Sequence, residues 1–283
     1  MNEIINNICD CVIKLRNESP LVHCITNTVT VNDCANAVLA IGASPIMANE
    51  PLEAEEMVTV VNSLLINIGT LNQKQIEAMK IAAKTAEKLG KSYVLDPVGI
   101  GVSNIRNETS MELIKSNPTI IRGNLSEIKT LANLIGILDE CTQVKGVDVA
   151  DSDVINDETL ESNALIVKNI AQKLDTTIAV SGPIDIISDG NEVYAIENGH
   201  KMMSQITGSG CMLGCILAAY NAVTTPLTAA VTATVVLGIA GQLAAQTVKV
   251  NNKGTGTFRS ELIDELSNID DQKVQDNIKI RKL

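Results

Sequence analysis

Two spacings of apolar residues alternate along this chain. Short, nearly continuous apolar runs occur at 21–25, 45–49, 63–69, 93–96, 119–122 and 177–180, and their length and β-branched content predict buried strands. Between them, apolar positions return every three or four residues. That period predicts helices over about 3–16, 31–41, 53–61, 71–89, 126–134, 159–174, 212–223 and 227–248, with a last helical region from Arg259 on. Pro51 suits the first turn of its helix, and Gly90 suits the C-cap of the helix before it. Residues 184–187 and 193–196 predict a hairpin around Asp189-Gly190-Asn191. Residues 137–158 predict an acidic surface excursion, and 251–257 a Gly-rich loop.

Strands that alternate with helices, and that are apolar on both faces, imply a mostly parallel sheet covered by helices on both sides. No Pro-, Gly- or Ser-rich linker divides the 283 residues and no internal repeat is visible, so one α/β domain spanning 1–283 is expected.

Composition then narrows the chemistry. Hydrophobic residues make up 45% and aromatic residues only 1%, so the core is to be built from aliphatic side chains. The net charge is −11 with no compensating basic cluster, which argues against nucleic acid and against an anionic membrane surface. A bound phosphate must therefore be held by main-chain N–H groups, metal and a few selected basic residues. Seven scattered cysteines and two histidines, without a Cys-x-x-Cys pair, disfavour both a zinc site and a disulfide framework and suit a reducing cytosol. The N-terminus carries no basic region followed by an apolar run, so no signal peptide is expected. From Met202 to Val248 no side chain is charged. Pro226 and several amides and threonines interrupt that stretch, so two buried helices are expected there and no membrane hairpin.

In an open parallel sheet, ligands bind beyond the carboxyl ends of the strands. Here those ends read Asn27, Met47-Ala48-Asn49, Asn67 to Gly69, Asp96-Pro97-Val98-Gly99, Arg122-Gly123-Asn124 and Ser181-Gly182, a series of polar or small residues suited to one composite cleft. Far downstream, Thr207-Gly208-Ser209-Gly210-Cys211 opens an apolar helix. Glycines at a helix start leave bare N–H groups at the positive end of the helix dipole, a place for a phosphate. Cys211, in the first turn, is a candidate base, and the helix start is expected to favour its thiolate. Two other phosphate signatures fail. Gly90-Lys91-Ser92 lacks the earlier Gly of a P-loop, where Thr85 stands, and runs from helix to strand. In Gly208-Ser209-Gly210 the third Gly of a dinucleotide fingerprint arrives one residue late, at Gly214.

Asn124-x-x-Glu127 after a strand, with Gly-x-Gly and a polar residue at a distant helix start, resembles the ribokinase-like small-molecule kinases. Cys211 stands where that superfamily usually carries Asp. Together with Asn67-Ile68-Gly69-Thr70, Asp96-Pro97-Val98-Gly99, Arg122-Gly123-Asn124 and Gly199-His200, it resembles the hydroxyethylthiazole kinase family from about Ser19 to Leu266. The resemblance implies a three-layer ribokinase-like fold. It also implies transfer of the γ-phosphate of ATP to the hydroxyl of 4-methyl-5-(2-hydroxyethyl)thiazole in thiamine biosynthesis, Mg²⁺ as cofactor, and a cytoplasmic homotrimer with sites between subunits. By the same resemblance Cys211 is the base. Met47, Gly208, Asn27 and Gly69 line the thiazole pocket. Arg122, Ser181 and Gly210 contact ATP, with Ser181 replacing the family's Thr. Glu127 and Asp96 are the carboxylates for the metal. His200 is expected to be structural. Two relatives on the same fold, a pyrimidine kinase and a repair dehydratase, stay open at this stage. So does a redox-sensing role for Cys211 and Cys215.

Overall fold

A nine-stranded sheet organises the chain, with strand order β2-β1-β3-β4-β5-β6-β7-β8-β9, in a computed structural model that describes residues 2–138 and 155–283. The strands are β1 (Leu21–Ile25), β2 (Ser44–Ile46), β3 (Ser63–Asn67), β4 (Ser92–Asp96), β5 (Ile120–Asn124), β6 (Thr177–Ser181), β7 (Asp185–Ser188), β8 (Val193–Ile196) and β9 (Ile280–Lys282). The first six pair in parallel, and β7 to β9 add an antiparallel edge.

Period-two alternation sorts the strand side chains into two cores. Cys24, Leu65 and Val94 point to one layer of helices: α1 (Asn2–Glu18), α2 (Val31–Ala40), α8 (Ser209–Asn221), α9 (Pro226–Val250), α10 (Thr255–Ser267) and α11 (Asp271–Asn277). Ile25, Leu64, Ile66 and Leu95 point to the other layer, α3 (Pro51–Val60), α4 (Gln73–Leu89), α5 (Asn104–Ile114), α6 (Leu125–Leu134) and α7 (Leu160–Leu174). The result is the expected three-layer α/β architecture.

Helix α9 is long and apolar enough to cross a bilayer, but the most apolar window of it is 78% buried inside the protein, so it serves as a core helix. Gly90 caps α4 in the left-handed conformation, and Pro51 opens α3, as the sequence indicates. Four features were not legible. Helix α5 buries only Thr109, Ser110 and Leu113, too few apolar positions to make a periodic stripe. Strand β9 is three residues long and forms only by pairing with β8. A 3-10 turn occupies Lys201–Gln205. The Gly-rich loop is shorter than expected, because α10 already starts at Thr255. Most of the predicted acidic excursion, 139–154, lies outside the described residues.

Candidate active site

The site begins where the topology changes direction. Chain order runs outward from β1 to β2 on one side, and from β1 to β3, β4, β5 and β6 on the other. Such a switch point opens a crevice beyond the strand ends. Here the crevice lies between β1 and β3, whose exits carry Asn27 and Asn67, and the first turn of α8 brings Cys211 to both. Asn27 Nδ2 donates to Cys211 Sγ at 3.1 Å, and Asn67 Nδ2 donates to the same sulfur at 3.3 Å.

Main-chain donors dictate how the two amides are turned. Asn27 Oδ1 accepts from the Thr30 N–H and the Thr30 hydroxyl, so its nitrogen must face the sulfur. Asn67 Oδ1 accepts from the Gly69 N–H at 2.9 Å and from Asn27 Nδ2 at 3.2 Å, which leaves Nδ2 for Cys211 and for Asp96 Oδ2 at 2.7 Å. Both asparagines are buried.

Asp96, at the end of β4, is wholly buried and paired with Arg122 of β5 at 3.1 Å. Burial pushes its carboxyl up to about 6, and Glu127 adds to the rise against the pull of Arg122. Burial alone would lower Arg122, but Asp96 and Glu127 outweigh it and hold the guanidinium charged. Arg122 also donates to Ser181 Oγ at 3.1 Å, and among the described residues its buried Nε has no partner. Glu127 sits in the first turn of α6 in a capping box. Its two oxygens accept from the Asn124 N–H and the Gly99 N–H, each at 2.8 Å.

Two glycines make the cradle possible. Gly208 has φ +90, and a Cβ there would lie 2.8 Å from Thr30 Cγ2, so a side chain would be both strained and blocked. A Cβ on Gly210 would lie 2.9 Å from Arg122 Nη2, a nitrogen pinned by its own bonds. The first intrahelical bond of α8 runs from the Met212 N–H to the Gly208 carbonyl. The N–H groups of Ser209, Gly210 and Cys211 therefore lie ahead of the helical ladder.

On the far side of Arg122 opens a cavity of about 580 Å³. Arg122, Ser181, Ser209 and Gly210 form its inner end, and Leu213, Leu237 and Met203 give it apolar walls. His200 and Asp185 also line it. His200 caps the 3-10 turn through the Met202 N–H at 3.2 Å. Burial raises Asp185 to about 7, while its carboxylate accepts from the Gly182 N–H.

The structure thus gathers Asn27, Gly69, Asp96, Arg122, Glu127, Ser181, Gly208, Gly210 and Cys211. It does not bring Met47 into that hydrogen-bonded group. Met47 stands half-buried after β2 against the apolar core, beside Ala48, whose carbonyl meets His23 Nε2 at 2.8 Å. One expectation reverses. The Cys211 thiol is pushed up by burial first and then by the Asp96 charge, and the Thr30 hydroxyl and Arg122 only partly oppose this. In the sequence Asn67 stands at a strand end and within the family motif without a role of its own, and Thr30 and Asp185 carry none. The polar exit of every strand was the available signal for Asn67.

Asp96 at the exit of β4 and Glu127 in the first turn of α6 offer hard carboxylate oxygens, close enough for the Glu127 charge to raise Asp96. Among the described residues no group of three or more acidic, His or Cys side chains could hold a metal alone. Two carboxylates completed by ligand phosphates suit Mg²⁺, which keeps few protein ligands.

The sequence pattern of the hydroxyethylthiazole kinase family matches residues 12–272. The chain is 63% identical to hydroxyethylthiazole kinase 1 of Methanosphaera stadtmanae, covering 99% of this chain and 98% of that one. It is 47% identical to the hydroxyethylthiazole kinase of Methanobrevibacter smithii, with 98% of each chain covered. The solved structure of a hydroxyethylthiazole kinase protein from Pyrococcus horikoshii OT3 superposes with a TM-score of 0.87 at 35% identity, over 98% of each chain. A pyridoxal kinase from Staphylococcus aureus, at 15% identity and a TM-score of 0.56 over 78% of this chain and 87% of its own, shares the fold.

Proposed function

The chain belongs to the hydroxyethylthiazole kinase family, and on that premise we propose how its residues divide the work. The reaction is ATP-dependent phosphorylation of hydroxyethylthiazole in thiamine biosynthesis. Cys211 is the base. Its sulfur stands at the head of α8 beside the cradle N–H groups, so an alcohol that hydrogen-bonds to the sulfur lies next to an incoming phosphoryl group. The thiolate takes the hydroxyl proton as the alcohol oxygen bonds to the γ-phosphorus of ATP, the bond from that phosphorus to the β–γ bridging oxygen breaks, and ADP leaves with the electron pair. Its two amide donors favour the thiolate and offset part of what burial and Asp96 impose. Since the thiol is held above its ordinary value, the thiolate is a minority form at neutral pH and turnover should climb with alkalinity.

Asn27, Gly69, Gly208 and Met47 line the acceptor pocket. Arg122, Ser181 and Gly210 meet the phosphates of ATP, and the unpartnered Nε–H of Arg122 is a donor suited to a phosphate oxygen. Asp96 and Glu127 would hold Mg²⁺, and the ion would supply neutralisation of phosphate charge. The N–H groups of residues 209–211 stabilise the transferring group. The whole chain acts as one domain, and three copies assemble with sites between them. The protein works in the cytoplasm, a compartment that suits the six described cysteines, all free.

One observation carries this reading: Cys211 Sγ sits between two pinned amides at a helix start that faces a cavity floored by Arg122. The test is Cys211→Ser, assayed with ATP, Mg²⁺ and thiazole alcohol. We expect kcat to fall by about 10²- to 10⁴-fold, while calorimetric binding of the alcohol persists. Unchanged turnover would remove the base role.

A further inference from the structure

Helix α5, which carries almost no amphipathic pattern, holds an arginine whose described side-chain partners are all main-chain carbonyls. Arg106 Nη1 donates to the Ile68 carbonyl at 2.8 Å and to the Val98 carbonyl at 2.6 Å. Its Nη2 donates to the Gly69 carbonyl at 2.8 Å. Ile68 and Gly69 form the exit of β3, and Val98 belongs to the exit of β4. Without the guanidinium one direct link between these exits is the Ile68 N–H to Asp96 carbonyl bond, at 3.2 Å.

Each stapled segment fixes one half of the site. On the acceptor side, the Gly69 N–H turns the Asn67 amide, and Asn67 in turn donates to Cys211 and Asp96. On the carboxylate side, the residue after Val98 is Gly99, whose N–H holds Glu127 Oε1 at 2.8 Å. The backbone around Gly99 also packs against the guanidinium, since a Cβ there would lie 3.4 Å from Arg106 Nη1. Three carbonyls from two segments match a planar fork of N–H groups. An ammonium is a point charge without that geometry.

We propose that Arg106 is a positioning residue for phosphoryl transfer. It sets the spacing between the acceptor end of the site, at Gly69, Asn67 and Cys211, and the carboxylate end, at Gly99 and Glu127. This rests on the assignment of those two ends made under Proposed function. Arg106 touches neither substrate; it acts through the main chain of the two exits. Loss of the staple leaves the cavity and the cradle in place but misaligns the two halves, so it lowers kcat more than it weakens binding.

The experiment is steady-state kinetics of the full chain as Arg106→Ala and Arg106→Lys, with far-UV circular dichroism to show that each is folded. A misplacement of about an ångström costs on the order of a hundredfold in rate, so kcat should fall by about that factor in Arg106→Ala, with either KM moving less than about threefold. Guanidinium ion, added well below denaturing concentrations, should restore turnover of Arg106→Ala by about tenfold and leave the wild type and Arg106→Lys unaffected. Wild-type kcat in a folded Arg106→Ala overturns the proposal. So does a kcat loss without response to guanidinium and with a matching loss of helical signal, which would assign Arg106 to folding alone. Should Arg106→Ala not fold, Arg106→Lys decides: a lowered kcat with steady KM values supports the staple, and wild-type kinetics refute it. Cys211→Ser in the same assay separates the two readings. If it turns over like the wild type, the site assignment fails whatever Arg106 does. If it is inactive and Arg106→Ala is normal, the staple fails alone.

Discussion

The two ends of the site are built differently. Around Cys211, each polar atom of the paired amides has a partner, the carboxylate is wholly buried, and two glycines leave no room for a side chain. The cavity beyond Arg122 is lined by an antiparallel hairpin edge, a 3-10 turn and apolar walls, and some of its polar residues carry only a local bond, as His200 does with the Met202 N–H and Asp185 with the Gly182 N–H. The first end is fixed by parallel strand exits and a helix start, elements that cannot shift without moving the sheet. The second combines a 3-10 turn and the loops that follow β6 and β8, which tolerate change, with Leu213 of α8 and Leu237 of α9 as apolar wall. On the roles proposed above, precision sits where the proton and the phosphoryl group would move, and tolerance sits where the bulk of the nucleotide would be accommodated.

That contrast breaks first at the cradle. Gly208→Val adds a Cβ at φ +90 directly against Thr30, so the head of α8 must move. We expect kcat to drop by about a hundredfold or more, with the thermal midpoint also lowered; activity near wild type would show that the cradle is not rigid. Next comes Asn67→Leu, which removes one of the two amide donors to the sulfur and leaves a buried carboxylate oxygen of Asp96 short of a partner. Loss of a charge-assisted bond predicts a fall in kcat of about tenfold to a hundredfold, with little change in ATP affinity by calorimetry.

A pH series sharpens the comparison. Asp96 titrates at about 6 in the folded chain against 3.8 ordinarily. Its folded value is raised, so the folded state binds the proton more tightly than the unfolded state. This group's contribution to stability is present at low pH and is lost as pH rises from 3.8 towards 6. Activity is expected to run the other way, since the ionised carboxylate pairs with Arg122 and is the form proposed above to hold the cation. kcat/KM should fall below pH 6 in the wild type, and a flat acidic limb would argue against that role. The smallest effect belongs to the cavity. Ser181→Ala should raise KM for ATP by about twofold to tenfold, the loss of one hydrogen bond of ordinary strength from a half-buried hydroxyl, and leave kcat near wild type.

Much of this was legible because parallel strands announce themselves twice, by a short apolar run and by a polar or glycine exit. Asn27, Gly69, Asp96, Arg122 and Ser181 all stand at such exits, and the glycines before Cys211 announce the cradle. Helix α5 was invisible because its buried positions are Thr109, Ser110 and Leu113, only one of them apolar, and Arg106 was hidden with it. Strand β9 depends on a partner some ninety residues away in sequence, Tyr194 opposite Lys282, and no local pattern could indicate that. The direction of the Cys211 shift failed for a related reason. A helix start is a local feature that favours the thiolate, whereas burial and the neighbouring Asp96 are set by the fold and prevail.

The most direct test of the claim that the sulfur receives the alcohol's proton is the pH dependence of kcat/KM in the wild type and in Cys211→Asp. A carboxylate base should retain turnover and lose the alkaline climb that the raised thiol imposes, so the two profiles should part above neutrality. Profiles that superimpose across the alkaline range would show that Cys211 is not the titrating base.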